Sequence, residues 1–273
     1  MMEQITEALR QPGETFSILE VGANRYRRLG SLLPRDCIVY LDPEAPEDMK
    51  TDSDVVEGDA TALTFLDGSF DVVVALDVLE HIPVPKRRDF LSHTTRVARL
   101  MTIIAAPFDN PQVRAAEADA AAFWGRLMSE RYRWLAEHVE NGLPNLGEIQ
   151  ALLTGLGLHH WSIGHGHLDL WRDMLKGHFS AEAMPELKPA IRAMDDLYGK
   201  QMLMRDFSDE NVYRSFLFCS HDANVGSHFE SRLRNLIQLS ASSAPPGAEA
   251  MQTVLRELQE LAVVGRSAAD TKQ

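Results

Sequence analysis

The first 110 residues alternate short, nearly continuous apolar runs with amphipathic and polar stretches. Residues 18–21 form one such run, short and β-branched and ending at Gly22, and predict a strand. A helical stretch follows and stops near Pro34. The run CIVYLD predicts a second strand ending at Asp42, broken by Pro43 and Pro46, and DVVEGD predicts a third. Asp71 to Ala75 predicts a fourth, apolar at its centre and therefore buried on both faces. Pro83 and Pro85 open a helix reaching Arg99, and MTIIAAP supplies a fifth strand. Strands alternating with helices in this way build a parallel sheet with helices on both faces, an α/β fold.

The remainder follows a different pattern. Gln112 to Glu140 is rich in alanine and long side chains and predicts helix, with an Asn141-Gly142 stop before Pro144. Residues 146–156 predict another helix and 158–163 a strand. Residues 168–205 read as mostly helical, interrupted at Gly177 and Pro185, and Tyr213 to Ser220 is a further apolar run of strand character. From Ser240 the composition shifts to a linker, SASSAPPG, followed by the amphipathic MQTVLRELQELAVV. That tail is open to three readings: an extra helix, the start of a coiled coil or a flexible end. No internal repeat is visible. The pattern divides the chain into residues 1–239, with a first half over 16–108 and a second over 109–239, and a tail over 240–273.

At 273 residues the chain can bury one substantial core. A formal net charge of −13 disfavours nucleic acid and anionic membranes as partners, because an acidic surface repels phosphates at long range. The run Arg25-Tyr26-Arg27-Arg28 is a local exception, read either as a solvated helix face or as a recruiter of an anionic group. Cys37 and Cys219 both sit among apolar neighbours and read as small core residues of a reducing compartment. The amino terminus carries acids and no apolar block, and no stretch approaches the roughly 20 apolar residues needed to cross a bilayer. A cytoplasmic location is expected, with no membrane insertion.

In an open parallel sheet, ligands bind beyond the carboxyl ends of the strands, where strand order reverses. Those ends carry Glu20 with Gly22, then Asp42, Asp59 and Asp77, so four consecutive strands deliver a carboxylate to one rim. Crowded carboxylates repel one another unless a ligand supplies donors or positive charge. A ribose, an adenine amine or a sulfonium cofactor would do so. The first loop lacks the further glycines that build a pyrophosphate nest, which excludes an NAD-dependent oxidoreductase. Gly22 can turn the chain over a nucleoside, and Asn24 tolerates a left-handed backbone where glycine might otherwise sit.

On the blocks ILEVGAN, VYLDPE, EGDATALTFLDGSFDVVVALDVLEHIP and IIAAPF, the sequence resembles the class I S-adenosylmethionine-dependent methyltransferases. The resemblance covers residues 16–108. It implies a Rossmann-like, mostly parallel seven-stranded sheet with a helical insertion, a C-terminal helical tail and S-adenosyl-L-methionine as cofactor. It places Glu20, Gly22, Ala23 and Asn24 near the methionine end, Asp42 on the ribose, Asp59 with Ala60 at adenine, and Asp77 by the sulfonium. One glycine stands where the family has two or three. For an oxygen acceptor, His81 in LEHIP is the best placed base; its bland reading is a structural histidine in a turn. A methyltransferase-like module without catalysis is the alternative.

RWLAEHVENGLP, Arg133 to Pro144, and IAAPFDNP resemble a bacterial subset found beside or fused to glycosyltransferases of surface polysaccharide synthesis. That implies a sugar or related small-molecule acceptor, and leaves a homo-oligomer or a glycosyltransferase as partner. His138 and His165 are the expected acceptor contacts. Trp124, Tyr132 and Trp134 have helical spacing and read as core before platform. LHHWSIGHGHLDLW suggests two ligands of a metal site, but its glycines read as a flexible turn and no acid or cysteine cluster completes the set, so no metal is expected. His221-Asp222 reads as an ordinary turn.

Overall fold

The computed structural model describes residues 1–23, 27–237 and 244–270. The expected roles of Asn24, Arg25 and Tyr26, and the first half of the expected linker, therefore lie outside the described residues. The chain divides into two compact units, neither contiguous in sequence: Met1–Phe108 with Asn141–Ile163 and Ser215–Leu236, and Asp109–Glu140 with Gly164–Arg214 and Ile237–Gln273.

The first unit is built on parallel strands. In chain order it holds α1 (Met2–Leu9), β1 (Ser17–Val21), α2 (Arg28–Leu32), β2 (Cys37–Asp42), β3 (Val55–Glu57), β4 (Phe70–Leu76), α3 (Arg87–Val97) and β5 (Ala98–Pro107). The second unit begins with α4 (Pro111–Met128) and α5 (Arg133–Asn141); the chain then returns to the first with α6 (Leu146–Gly155). Strand β6 (His159–His167) starts in the first unit and ends in the second, which continues with α7 (Leu168–Ala183), α8 (Lys188–Leu197) and β7 (Phe207–Ser208). Strand β8 (Val212–Ser220) leads back to α9 (Ala223–Leu236) in the first unit, and α10 (Ala248–Asp270) closes the second.

The sheet order is β3-β2-β1-β4-β5-β8-β6-β7. The resemblance implied seven strands. The eighth is the two-residue β7, antiparallel to the end of β6 through Gly164↔Ser208 and His165↔Phe207. Strands β3, β2, β1, β4 and β5 pair in parallel, with Leu41↔Val21↔Ala75 and Asp42↔Glu57 in register, so their carboxyl ends share one edge. From β1 the order runs outward through β2 and β3, then resumes on the other side with β4. The β1–β4 crevice is thus the switch point at which this architecture binds ligands.

Consecutive residues of a strand face opposite sides, and Ile18, Leu19, Val72, Val73 and Val74 are all fully buried, so both faces of the central strands are covered. Leu19, Val21, Val73 and Ala75 pack with Phe90 and Leu91 of α3 and Ile149 and Leu153 of α6. Helices α1 and α9 are tied by Arg232, which donates to the carbonyls of Glu7 and Arg10.

In the second unit α7, α8 and α10 share a core of Leu170, Ala181, Ile191, Met251 and Leu255, so the tail over 248–270 is a packed helix. Gly177 does not interrupt α7. A Cβ there would lie 2.9 Å from Leu255 and 3.0 Å from Ile191, so its glycine serves close packing instead of a break. Residues 112–140 form two helices, because Ser129 takes a left-handed conformation (φ +58°) after α4. Trp124 is buried against Tyr132 and Phe179, as core spacing predicted, whereas Trp134 is exposed. The segment around Gly164 and Gly166 is strand where a flexible turn was expected: a Cβ on Gly164 would collide with the Ser208 carbonyl of the paired strand. Cys219 is buried, but Cys37 is exposed, contrary to its apolar neighbours in sequence. Asp222 does more than turn the chain; it accepts from the Asn224 amide and starts α9.

Candidate cofactor site

The edge formed by β1, β2 and β4 gathers the expected side chains in one unit. At the end of β1, Gly22 has φ +73°, and its amide donates to the Leu41 carbonyl of β2 at 2.8 Å. A Cβ there would stand 2.5 Å from Cγ2 of Val78, which follows β4. Glycine is required twice over, by the left-handed backbone and by this close approach. Ala23 beside it is buried.

Glu20 precedes that turn. Its Oε2 is buried and has no hydrogen-bond partner among the described residues. Burial pushes its carboxyl up to about 7, opposed by the donating amide of Leu29. An unmet buried carboxylate oxygen is costly, and a ligand ammonium or hydroxyl would relieve it. The Arg27 guanidinium, in the run read either as a solvated helix face or as an anion recruiter, is engaged by Asp52 and Asp54 and lies over the Tyr40 ring.

At the end of β2, Asp42 accepts from the Glu44 amide at 2.9 Å, which orients its carboxylate over the Pro43 turn. The Asp42 carbonyl accepts from Gly58, tethering the strand-end loop that carries Asp59. Oδ1 of Asp59 accepts from both the amide (2.8 Å) and the hydroxyl (2.7 Å) of Thr61, while Lys86 Nζ donates to Oδ2 at 3.3 Å. The Thr61 amide leads in holding this carboxyl below its ordinary range, against burial, with the Thr61 hydroxyl and Lys86 adding to it. Ala60 is buried next to it. Asp77 follows β4 with φ +55°, its amide donating to Ala105 at 2.7 Å and its side chain exposed. Sequence reasoning missed Thr61, Val78 and Lys86. Only Thr61 had a legible signal, since a hydroxyl two residues after Asp marks an Asx turn.

His81 lies in a 3-10 turn, Leu79–His81, directly after Asp77 and Val78. That turn is clamped from its own unit. Asn141 Nδ2 donates to the His81 carbonyl at 3.0 Å. The buried Arg87 donates to the carbonyls of Ile82, Asn141 and Gly142. The two remaining histidines belong to the second unit. His138 is buried with Nδ1 2.9 Å from Glu117, which also accepts from Tyr213. A carboxylate only accepts, so Nδ1 carries the proton and Nε2 the lone pair in the neutral ring. His165 is buried against Phe207, with Nε2 donating to the Leu203 carbonyl at 2.9 Å, and burial pushes it down to about 3. This is the placement of a structural histidine.

Residues 37–104, from β2 into β5, match a family model described as a methyltransferase domain. They contain Asp42, Asp59, Ala60, Asp77 and His81. This stretch is similar to that family. The similarity points to methyl transfer with S-adenosylmethionine as cofactor. The matched stretch covers less than half of the chain and ends before the second unit begins. Among solved structures, the chain is similar to an S-adenosylmethionine-dependent methyltransferase of Archaeoglobus fulgidus (15% identity, 75% of this chain and 85% of that one, TM-score 0.45). It is also similar to one of Thermotoga maritima (10%, 81% and 88%, TM-score 0.48) and to the YcgJ protein of Bacillus subtilis (13%, 80% and 97%, TM-score 0.44). No curated protein matches the chain in sequence. The edge of β1, β2 and β4 offers a buried Glu20 oxygen with no partner among the described residues, and carboxylates at the ends of the adjoining strands.

Proposed function

We propose that the protein is an O-methyltransferase of a sugar or related small metabolite, working in the cytoplasm. The observation that carries the cofactor half of this reading is Oε2 of Glu20, buried and without a partner among the described residues at the strand-order switch point. Glu20 takes the ammonium of the methionine end, Asp42 the ribose hydroxyls, Asp59 with Ala60 the adenine, and Asp77 faces the sulfonium side. Gly22 and Ala23 let the backbone pass close to the ligand. When bound, S-adenosylmethionine supplies an activated methyl on positive sulfur. The chain's task is to align the acceptor, exclude water and receive a proton.

His81 is the proton acceptor in this reading, a neutral imidazole taking the hydroxyl proton as the oxygen becomes a nucleophile. The Asn141 and Arg87 clamp supports it, because a base must stay within hydrogen-bond reach of the proton it removes. In the second unit, His138 with its tautomer set by Glu117 is the contact assigned to the acceptor. Resemblance of residues 133–144 to glycosyltransferase-associated enzymes supports a glycan acceptor, and with it a glycosyltransferase partner. Among the described residues no helix is long and apolar enough to cross a membrane.

Calorimetry with S-adenosylmethionine and with its demethylated product tests the cofactor half. Binding weakened by about 1–3 kcal/mol in Asp42→Ala is expected if that carboxylate pairs with the ribose; no binding of either compound at millimolar concentration removes the enzyme reading. Transfer from labelled cofactor to a panel of free and lipid-linked sugars tests the acceptor. Label appearing only on amines or on protein side chains would contradict it.

A further inference from the structure

Asp59 divides its two oxygens unequally. Oδ1 is spent on the amide and hydroxyl of Thr61, a pair that fixes the carboxylate plane. Oδ2 points away from that turn, and among the described residues its partner is Lys86 Nζ at 3.3 Å. Resting on the cofactor reading, Oδ2 is then the oxygen left to accept the exocyclic amine of the adenine.

Lys86 is built to occupy that oxygen and to leave it. It ends a 3-10 turn, Val84–Lys86, introduced by Pro83 and containing Pro85, and its amide donates to the Pro83 carbonyl at 2.8 Å. Two prolines restrict the backbone, so the Lys86 Cα is held within reach of Asp59. The side chain itself is more than half exposed and has four rotatable carbons, so it can swing into water at little cost. Asp59 is likewise half exposed, the setting in which an ion pair is weak and screened by salt. A strong buried pair would block the site, and an absent one would leave Oδ2 open. This one lies between.

We propose that Lys86 is a latch on the nucleobase subsite: in the free protein it holds Oδ2 of Asp59, and it must release that oxygen when the cofactor's exocyclic amine arrives. The latch sets affinity and makes it rise with salt, since screening weakens the ammonium–carboxylate pair more than a neutral amine's hydrogen bond. It also acts only against ligands that carry the amine. A purine with hydrogen at that position makes no claim on Oδ2 and leaves Lys86 in place.

The test is calorimetric binding of adenosylhomocysteine, and of its analogue lacking the 6-amino group, to the full chain and to Lys86→Met. The variant keeps the length of the side chain, and its fold is checked by thermal unfolding. The expected result is binding of adenosylhomocysteine about two- to fivefold tighter in Lys86→Met, the range an exposed ion pair allows, with no change for the analogue. The variant's advantage should also shrink between 50 and 500 mM salt, wild-type affinity rising while the variant's stays flat, as the screening length falls from roughly 14 to 4 Å. Equal or weaker binding of adenosylhomocysteine to the folded variant overturns the latch alone. A wild type that binds neither compound overturns the cofactor reading and the latch with it.

Discussion

Replacing Glu20 by Gln exposes the energetics of the site without any ligand. The carboxyl is raised from 4.5 to about 7 by burial, opposed by the Leu29 amide, and its Oε2 has no partner among the described residues. A raised acid holds its proton more tightly in the folded chain than in the unfolded one. Folding is therefore unburdened below the unfolded value, loses stability as pH climbs from 4.5 to 7, and carries the full penalty above 7. At 1.36 kcal/mol per unit, the shift amounts to about 3 kcal/mol at pH 8 and about 1.4 kcal/mol at pH 5.5. Glutamine removes the charge and keeps the shape. Glu20→Gln should accordingly gain about 2 kcal/mol over the wild type on going from pH 5.5 to 8, read as the difference in denaturant unfolding.

The same carboxylate should couple binding to protons. An arriving ammonium favours the charged form and pulls the carboxyl back down, so binding at pH 6.5 releases on the order of half a proton or more. Calorimetry in two buffers of different ionisation enthalpy measures that number, and Glu20→Gln should abolish it. A stability gap that does not change with pH, together with binding heats independent of buffer, would refute the reasoning.

Other perturbations reach different parts of the structure. Gly22→Ala must take φ +73° with its methyl 2.5 Å from Val78, and should cost about 2 kcal/mol or more in chemical unfolding; a loss under half that would mean the turn relaxes. His81→Ala should slow methyl transfer while adenosylhomocysteine affinity stays nearly constant, and undiminished turnover removes His81 as the base. Leu255→Ala empties a buried position of α10 and should destabilise by about 2–4 kcal/mol; no change in unfolding would mean the tail contributes little to the second core.

Much of the first unit was legible because its signals are local. Val72 to Ala75 is apolar on both faces, and only a buried central strand accounts for such a short run between Asp71 and Asp77. Asp42 and Asp77 were readable for the same reason, since each follows an apolar run directly. What was not legible depends on partners distant in sequence. Gly164 and Gly177 look like breakers, yet one admits the Ser208 carbonyl and the other admits Leu255 and Ile191. Strand β7 exists because the end of β6 stands opposite Phe207 and Ser208, and two residues carry no periodicity of their own. The left-handed Ser129 has neither glycine nor proline to announce it. Lys86 carries no motif, because its meaning comes from a carboxylate 27 residues earlier. His165 drew attention as a polar residue near glycines, while burial and the Leu203 carbonyl give it a packing role.

In the proposed function the β1–β4 edge holds S-adenosylmethionine by its charged and hydroxyl groups. A crystal structure with adenosylhomocysteine measures this directly. The amino group of the ligand is expected against Oε2 of Glu20 and the ribose hydroxyls on Asp42. A crystal grown at saturating ligand in which the compound lies away from both carboxylates, or in which Oε2 of Glu20 is still unmet, would contradict it.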